Sequence, residues 1–327
     1  MLRGPLHVVG TAILCAVLVL LPEVSMANTY PAKTVKILVG WAPGGGVDVT
    51  ARLIAHKLSS VWGQQVIVEN RPGAGGNLAA DLAAKSAPDG YTLFLGTTGE
   101  LAVNATLFRS LPYHPVRDFS HIAMAVRVPM ILALHPSVPA KDVRALVEYS
   151  KSQPNGLTYA SPGNGSIGHL TAELLKSATG AKLLHIPYKG AAPATADLVG
   201  GQVQMGFSSL PAVLPHVQAG RLKAIAVTTE GRVEAAPELP TISESGFPGL
   251  SAFGWYAFVG PAGMPQAMVD KLNRDISEVV SDPEVKSKLA PQGLESWTMP
   301  PRELRDYFGA EIARWQKVVN ASGIKVD

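Results

Sequence analysis

The sequence predicts an α/β protein of two lobes, each a mostly parallel sheet flanked by helices, with two crossing segments and a cleft between them. Three observations carry that expectation. Short β-branched apolar runs alternate with amphipathic stretches along most of the chain, the βαβ rhythm of a parallel sheet with helices on both faces. Strand after strand runs into a glycine-rich turn. Two long apolar stretches, 120–136 and 246–260, interrupt the rhythm as segments that leave one lobe and later return to it. The expected division is a leader at 1–27, a first lobe from 28–125 with 250–327, and a second lobe at 126–249.

The first lobe opens on Val35-Lys36-Ile37-Leu38-Val39, a strand by its β-branched content. The turn Trp41-Ala42-Pro43-Gly44-Gly45-Gly46-Val47-Asp48 follows. Ile54, Leu58 and Val61 then recur at helical spacing, opposite Arg52, His56, Lys57 and Ser59. Three glycines leave backbone N–H groups open to a close ligand. A helix N-terminus adds orphan donors and partial positive charge. Strand, turn and helix together make an anion pocket that needs no arginine. Asp48 is expected at the helix cap, where an aspartate holds the turn. Val66-Ile67-Val68 is the next strand. The glycine turn at 73–76 leads into an alanine-rich helix at 78–87, and a strand at 91–95 ends in Gly96-Thr97-Thr98-Gly99.

The stretch 120–136, whose one charged residue is Arg127, is a crossing strand into the second lobe. A helix at 142–150 precedes the strand Leu157-Thr158-Tyr159-Ala160. The loop Ser161-Pro162-Gly163-Asn164-Gly165-Ser166-Ile167-Gly168 and a helix at 169–177 follow. The strand at 183–188 ends in Tyr188-Lys189-Gly190, with Pro193 at a favourable first helical position. Strands at 203–207, running into Ser208, and at 222–228 complete this lobe. The return crossing carries Phe247, Phe253, Trp255, Tyr256 and Phe258, assigned to hinge and core packing rather than to a stacking platform. Two amphipathic helices close the chain and pack on the first lobe. One carries Leu272, Ile276 and Val279; the other starts at Pro300-Pro301 and carries Leu304, Phe308, Ile312 and Trp315.

At the start of the chain, Arg3, the apolar run 10–21 and Ser25-Met26-Ala27 fit a secretory leader cleaved before Asn28. The run is too short for a membrane span. The single cysteine, Cys15, lies inside it without the small neighbour of a lipoprotein signal. A mature chain without thiols excludes cysteine catalysis, cysteine-bound metal and a disulfide scaffold. Net charge is +3 with no basic block, so nucleic acid is not an expected partner. An apolar content of 47% supports a large core, so the 32 glycines and 26 prolines mark tight turns rather than disorder.

Ligands of open α/β sheets bind beyond the carboxyl ends of the strands, where each lobe offers polar, glycine-rich loops. The candidate contacts are Ala42, Pro43, Gly44, Gly45, Gly46, Asp48, Thr97 and Thr98 in the first lobe. In the second they are Ser161, Gly163, Asn164, Gly165, Ser166, His169, Tyr188, Lys189, Gly190 and Ser208. Two such jaws suit hinge closure on a solute. Gly163-x-Gly165-x-x-Gly168 matches the dinucleotide fingerprint, but the next strand end offers Pro187-Tyr188-Lys189 and no ribose-binding carboxylate. Asn164-Gly165-Ser166-Ile167-Gly168 falls one glycine short of a nucleophile elbow, which keeps a secreted serine hydrolase as an alternative. A ligand-sensing subunit of a signalling system is another. No P-loop lysine follows a glycine turn, and the histidines lack metal-ligand spacing. No cofactor, metal or catalytic residue is expected.

Several strings carry a resemblance. In the first lobe they are Ala42-Pro43-Gly44-Gly45 with Asp48 and Ala51-Arg52, then Val68-Glu69-Asn70-Arg71-Pro72-Gly73-Ala74-Gly75-Gly76-Asn77, and Pro88-Asp89-Gly90-Tyr91-Thr92-Leu93. In the second they are Tyr159-Ala160-Ser161, residues 163–165, His169-Leu170, and Pro187-Tyr188-Lys189-Gly190 with Pro193-Ala194 and Asp197-Leu198. The chain resembles the Bug family, the periplasmic solute receptors of tripartite tricarboxylate transporters, over essentially all of the expected mature chain. The resemblance implies a type II periplasmic-binding-protein fold and capture of a small carboxylate without catalysis. Amino acids, di- and tricarboxylates and aromatic acids are ligands in that family. It implies that the loops 42–48 and 161–166 grip a carboxylate, partly through waters. Gly46 and Val47 stand where relatives often carry a hydroxyl residue, which leaves this loop its backbone donors. The implied partners are membrane transporter subunits and the implied location is the periplasm; a monomer is the expected state.

Overall fold

The computed structural model describes residues 30–188 and 190–323, so the expected leader and Lys189 lie outside the described residues. The first series is β1 (Val35–Val39), α1 (Gly46–Trp62), β2 (Val66–Asn70), α2 (Asn77–Ala84), β3 (Thr92–Thr97), a π-helical turn (Gly99–Val103) running into α3 (Asn104–Leu107), and β4 (Phe119–Val128). The second is β5 (Met130–Leu134), α4 (Val143–Ser152), β6 (Leu157–Ser161), α5 (Ile167–Thr179), β7 (Leu183–Pro187), α6 (Ala191–Val199), β8 (Met205–Ser209), α7 (Leu210–Gln218) and β9 (Lys223–Val227). The chain then returns through β10 (Gly254–Pro261) and closes with α8 (Gln266–Ser281), α9 (Pro283–Leu289), β11 (Glu295–Ser296) and α10 (Pro301–Ser322).

These strands form two sheets of the same design. The first has the order β11-β4-β10-β3-β1-β2 and the second β7-β6-β8-β5-β9. In the first, β1 pairs in parallel with β2 and β3, while β10 runs antiparallel between β3 and β4. In the second, β6 pairs in parallel with β7 and β8, while β5 runs antiparallel between β8 and β9. Each lobe is therefore a mostly parallel sheet with one crossing strand inserted against the grain.

The chain changes sheets at Pro129, between β4 and β5. Proline lacks the N–H that a ladder needs, so the continuous apolar run breaks there. Arg127 beside this break lies over the rings of Phe253 and Trp297, at 4.9 and 4.5 Å from their centroids. Both crossings are thereby tied to one aromatic cluster. Trp255 and Trp315 are fully buried, and both indole N–H groups donate to Glu311 Oε2 at 3.0 Å. Fully burying a large apolar side chain contributes about 1.5–3 kcal/mol. Leu272, Ile276, Val279, Leu304, Phe308 and Trp315 are all buried, which fixes the two closing helices on the first lobe.

Three local expectations are corrected. Val61 is 54% exposed, because the buried stripe of α1 runs through Val47, Ala51, Ile54, Ala55 and Leu58 to Trp62, whose indole N–H donates to Asp275. Pro193 is the third residue of α6 and not the first, still within the turn whose N–H groups need no helical partner. Asp48 does not cap α1; Gly45 does, and Asp48 lies inside the first turn.

Candidate functional site

In the first lobe the turn after β1 is held from behind. The Asp48 carboxylate is 2% exposed and accepts from Gly44 N at 2.9 Å, Asn70 Nδ2 at 2.8 Å and Arg52 Nε at 3.0 Å. Asn70 Nδ2 also donates to Trp41 O at 2.9 Å, closing the loop onto the end of β2. Burial opposes the charge of Asp48, but Arg52 and the Gly44 and Asn70 donors outweigh it and hold the carboxyl below its ordinary range. Arg52, the cation nearest this loop by these bonds, is thus committed to structure.

The loop itself, Ala42, Pro43, Gly44, Gly45 and Gly46, is exposed. Gly44 sits at φ +86°, a conformation that side chains disfavour, whereas Gly45 is extended at φ −77°. No side chain caps α1, so its leading N–H groups after Gly44 stay available to an anion. A Cβ on Gly46 would come within 3.1 Å of the Tyr256 hydroxyl, which places that phenol beneath the loop. Tyr256 pairs in register with Thr97 on the neighbouring strand. Along β10 Tyr256 alternates with the buried Trp255, a strand position that turns its phenol toward this loop rather than into the packing expected of it.

Thr97 and Thr98 stand at the end of β3, but their hydroxyls serve the lobe itself. Thr98 Oγ1 accepts from Trp255 N at 2.8 Å. Thr97 Oγ1 donates to Glu100 Oε2 and accepts from Gly99 N at 3.2 Å. Glu100, which no pattern singled out, is completely buried; it also accepts from Thr97 N at 3.1 Å and from Trp41 Nε1 at 2.8 Å. Burial pushes its carboxyl up to about 7.

The second jaw is built at the ends of three adjacent parallel strands, β7, β6 and β8. Tyr188 N donates to Ser161 O at 3.0 Å and Gly190 N to Pro162 O at 2.9 Å, so the loops after β6 and β7 form one rim. Ser208, buried near the end of β8, belongs to the next strand over. Ser161 Oγ bonds Gly163 O at 3.0 Å and lies 2.6 Å from His185 Nε2. Ser166 caps α5; its Oγ donates to Gly163 O at 2.7 Å and accepts from His169 N at 3.4 Å. His169 Nδ1 accepts from Gly165 N at 3.0 Å. The Tyr188 hydroxyl donates to Asp197 Oδ2 at 2.7 Å, directed at α6. Asn164 is exposed at the tip.

Behind this rim the rings of His169 and His185 stack at 3.9 Å and 10°, with Tyr159 stacked on His185 at 4.8 Å. Burial lowers both imidazoles, His169 to about 3 and His185 to about 4, so both are neutral at physiological pH. The pseudo-dinucleotide glycines have packing roles. A Cβ would lie 3.2 Å from Tyr188 O at Gly163, 2.1 Å from Leu107 Cδ2 at Gly165, and 2.3 Å from Phe207 O at Gly168. Gly165 thereby also marks where the second jaw touches α3 of the first lobe. Two shallow hollows of about 390 and 360 Å3 lie elsewhere, lined by residues such as Pro154 and Lys176, or Leu111 and Gln316; no candidate residue lines either. The candidate residues lie at the strand ends and not in these hollows.

Two lobes whose parallel strands end in glycine-rich rims define a hinged solute receptor. The family model described as the tripartite tricarboxylate transporter family receptor matches residues 50–324. BugT of Bordetella pertussis is 38% identical over 301 residues, covering 92% of each chain. An R. palustris structure with adipate superposes with a TM-score of 0.84 at 38% identity, covering 90% of this chain and 99% of that one. MatC from Rhodopseudomonas palustris with bound malate gives 0.80 at 33% identity, covering 89% and 100%. The periplasmic binding protein BugD gives 0.81 at 32% identity, covering 90% and 99%. The chain belongs to the tripartite tricarboxylate transporter receptor family, that of the Bug proteins. No helix among the described residues is long and apolar enough to cross a membrane.

Proposed function

We propose that this chain is an extracytoplasmic receptor that captures a small organic carboxylate between its jaws and delivers it to membrane transporter subunits. The observation that carries this reading is the start of α1: three glycines with exposed backbone, no side-chain cap, and the adjacent arginine engaged by Asp48. Such a helix start offers an anion several N–H donors and partial positive charge. Relatives with 38% and 33% identity were solved with adipate and malate, two carboxylates. The residues assigned to ligand are the backbone of Ala42, Pro43, Gly44, Gly45 and Gly46 in one jaw, with Ser161, Gly163, Asn164, Gly165, Ser166 and Lys189 in the other. One body carries the first sheet through β4 and again from β10, the other carries β5 through β9, and the two close about the crossings near Arg127 and Phe253. A cleaved leader takes the chain to the periplasm, where it works as a monomer.

Binding without turnover is the reading the local chemistry favours over a hydrolase. Ser166 Oγ bonds the Gly163 carbonyl, and the nearest imidazole nitrogen in its loop, His169 Nδ1, accepts from Gly165 N. A thermal-shift screen of carboxylates tests the receptor. A ligand at 100 times its dissociation constant stabilises the native state by about 2.7 kcal/mol. If no carboxylate raises the melting temperature of protein stripped of ligand, the receptor reading fails; ester turnover abolished by Ser166→Ala revives the hydrolase.

A further inference from the structure

A buried acid lies directly behind the jaw that is open to anions. Glu100 is wedged between the ends of β1 and β3 and the turn at 73–76. A Cβ on Gly40 or Gly76 would stand 2.8 or 2.1 Å from Glu100 Oε1. Those glycines are the walls of a cradle for this carboxyl. Its oxygens receive the indole N–H of Trp41 and the N–H and hydroxyl of Thr97, all neutral donors, and among the described residues no cation pairs with it.

The groups packed around it are uncharged or already paired. The phenol of Tyr113 lies within hydrogen-bond reach of both Glu100 O and Asn77 Oδ1, to one of which it donates, and burial beside Glu100 raises both Tyr113 and Tyr256, keeping them neutral. Asp81, whose charge also acts on Tyr113, is paired through Oδ2 with Lys85. Asp48 is matched by Arg52 across Asn70. Asn104 bonds Asn77 and the Gly75 carbonyl. Among the described residues, nothing in this shell supplies a positive charge to Glu100.

Trp41 is the residue that leads into the anion-binding turn, and its indole is anchored on Glu100. A second negative charge placed beyond that turn would repel an ionised Glu100 across a poorly solvated wall. We propose that Glu100 is the charge-matching group of the first jaw: it carries a proton when an organic anion occupies the cleft, so that capture of the anion takes up a proton from solvent. This rests on the carboxylate-receptor reading. The proton resides on Oε2, where the adjacent Thr97 hydroxyl can turn from donor to acceptor while Trp41 Nε1 continues to donate to Oε1. Burial, which has already brought the carboxyl up to about 7, puts the exchange within the working pH range. The consequence is a receptor that loads best on the acidic side of neutral and releases as the pH rises.

The test is calorimetric titration of the ligand-free protein with adipate, malate and a panel of other carboxylates, from about pH 6.5 to about pH 8.5, in buffers of different ionisation enthalpy. The expected result is uptake of up to about one proton per ligand, with affinity weakening by as much as about tenfold per pH unit above the midpoint of Glu100. Glu100→Gln flattens the profile. A carboxylate that binds with constant affinity and no proton uptake overturns the inference and leaves the receptor reading standing; no binding by any carboxylate at any pH overturns both. A second measurement needs no variant. Carboxyl-13C NMR of glutamate-labelled wild type should show one buried resonance titrating near neutrality, shifted upward by a bound anion. A Glu100 midpoint in the ordinary glutamate range sinks the proposal.

Discussion

The two jaws solve one problem, fixing a glycine-rich turn at a strand end, with opposite chemistry. In the first, an ionised carboxylate inside the helix, Asp48, reaches back to Gly44 N and leaves the helix start without a cap. In the second, serine hydroxyls and an imidazole act from within the loop: Ser166 caps α5 and His169 takes Gly165 N. The first arrangement frees backbone donors; the second consumes several of its own. On the proposed reading, the first jaw is the main source of anion attraction and the second contributes fit and closure.

The most direct way to break this comparison is to remove both supports. Asp48→Ala strips a buried hub of its acceptor and strands Arg52 and Gly44 N, so it should destabilise by about 2–4 kcal/mol in urea denaturation. Ser166→Ala should cost only about 1 kcal/mol, the usual worth of a cap. Equal losses would erase the distinction.

Binding sharpens it next. Gly45→Val meets no strained φ and no close neighbour, its nearest contact being Ala42 O at 3.8 Å, so the variant should fold. It should nevertheless weaken carboxylate affinity at least about tenfold, or 1.4 kcal/mol, by covering the donors. Ser166→Ala should cost affinity less, on the order of 0.5–1.5 kcal/mol. A reversed order, read by calorimetry, moves the anion site to the second jaw.

The smallest effect is the pH dependence of ligand-free stability, and the jaws pull it in opposite directions. His169 and His185 are depressed, so their contribution is present above the ordinary histidine value and lost as pH falls through about 4 and 3. Glu100 is raised, so its contribution is present below the ordinary glutamate value and lost as pH rises through about 7. Melting temperature should therefore decline on both sides of mildly acidic pH. Glu100→Gln should flatten the alkaline side by about 1–2 °C or more, and His185→Gln the acid side by about as much. A single variant that flattens both limbs contradicts separate origins.

How much of this was legible depended on whether a residue's role is local. β1, β6 and the crossing at 120–136 announced themselves by β-branched content, and the rims by glycines at strand ends. The phase of α1 did not: three successive glycines give no cue to which one caps, and Asp48, the expected cap, is the third residue of the helix. Glu100 in Gly99-Glu100-Leu101 looks like a surface acid. It becomes a buried one through Trp41, 59 residues away, and through the glycines that pack on it. The His169–His185 stack likewise exists because parallel pairing sets Ser161 beside Pro187, which no spacing rule reveals. Thr97 and Thr98, expected as ligand hydroxyls at a strand end, bond Glu100 and Trp255 within the lobe.

The position of β10 has a consequence for how the chain acquires this form. It lies in the middle of the first sheet, and its link to β3, Trp255 N to Thr98 Oγ1, spans 157 residues. During synthesis β3 and β4 are made long before the strand that separates them. Until residues 254–261 emerge, each keeps an unpaired ladder edge flanked by apolar side chains. Contacts of such separation form slowly, because a long loop must close before any of them forms. The second lobe, whose strands all lie between 130 and 227, waits less long for the β8 that separates β6 from β5, and can assemble first. The nascent protein is then one finished lobe carried on a half-built one, with edges open to chaperones or to mispairing until its last quarter arrives.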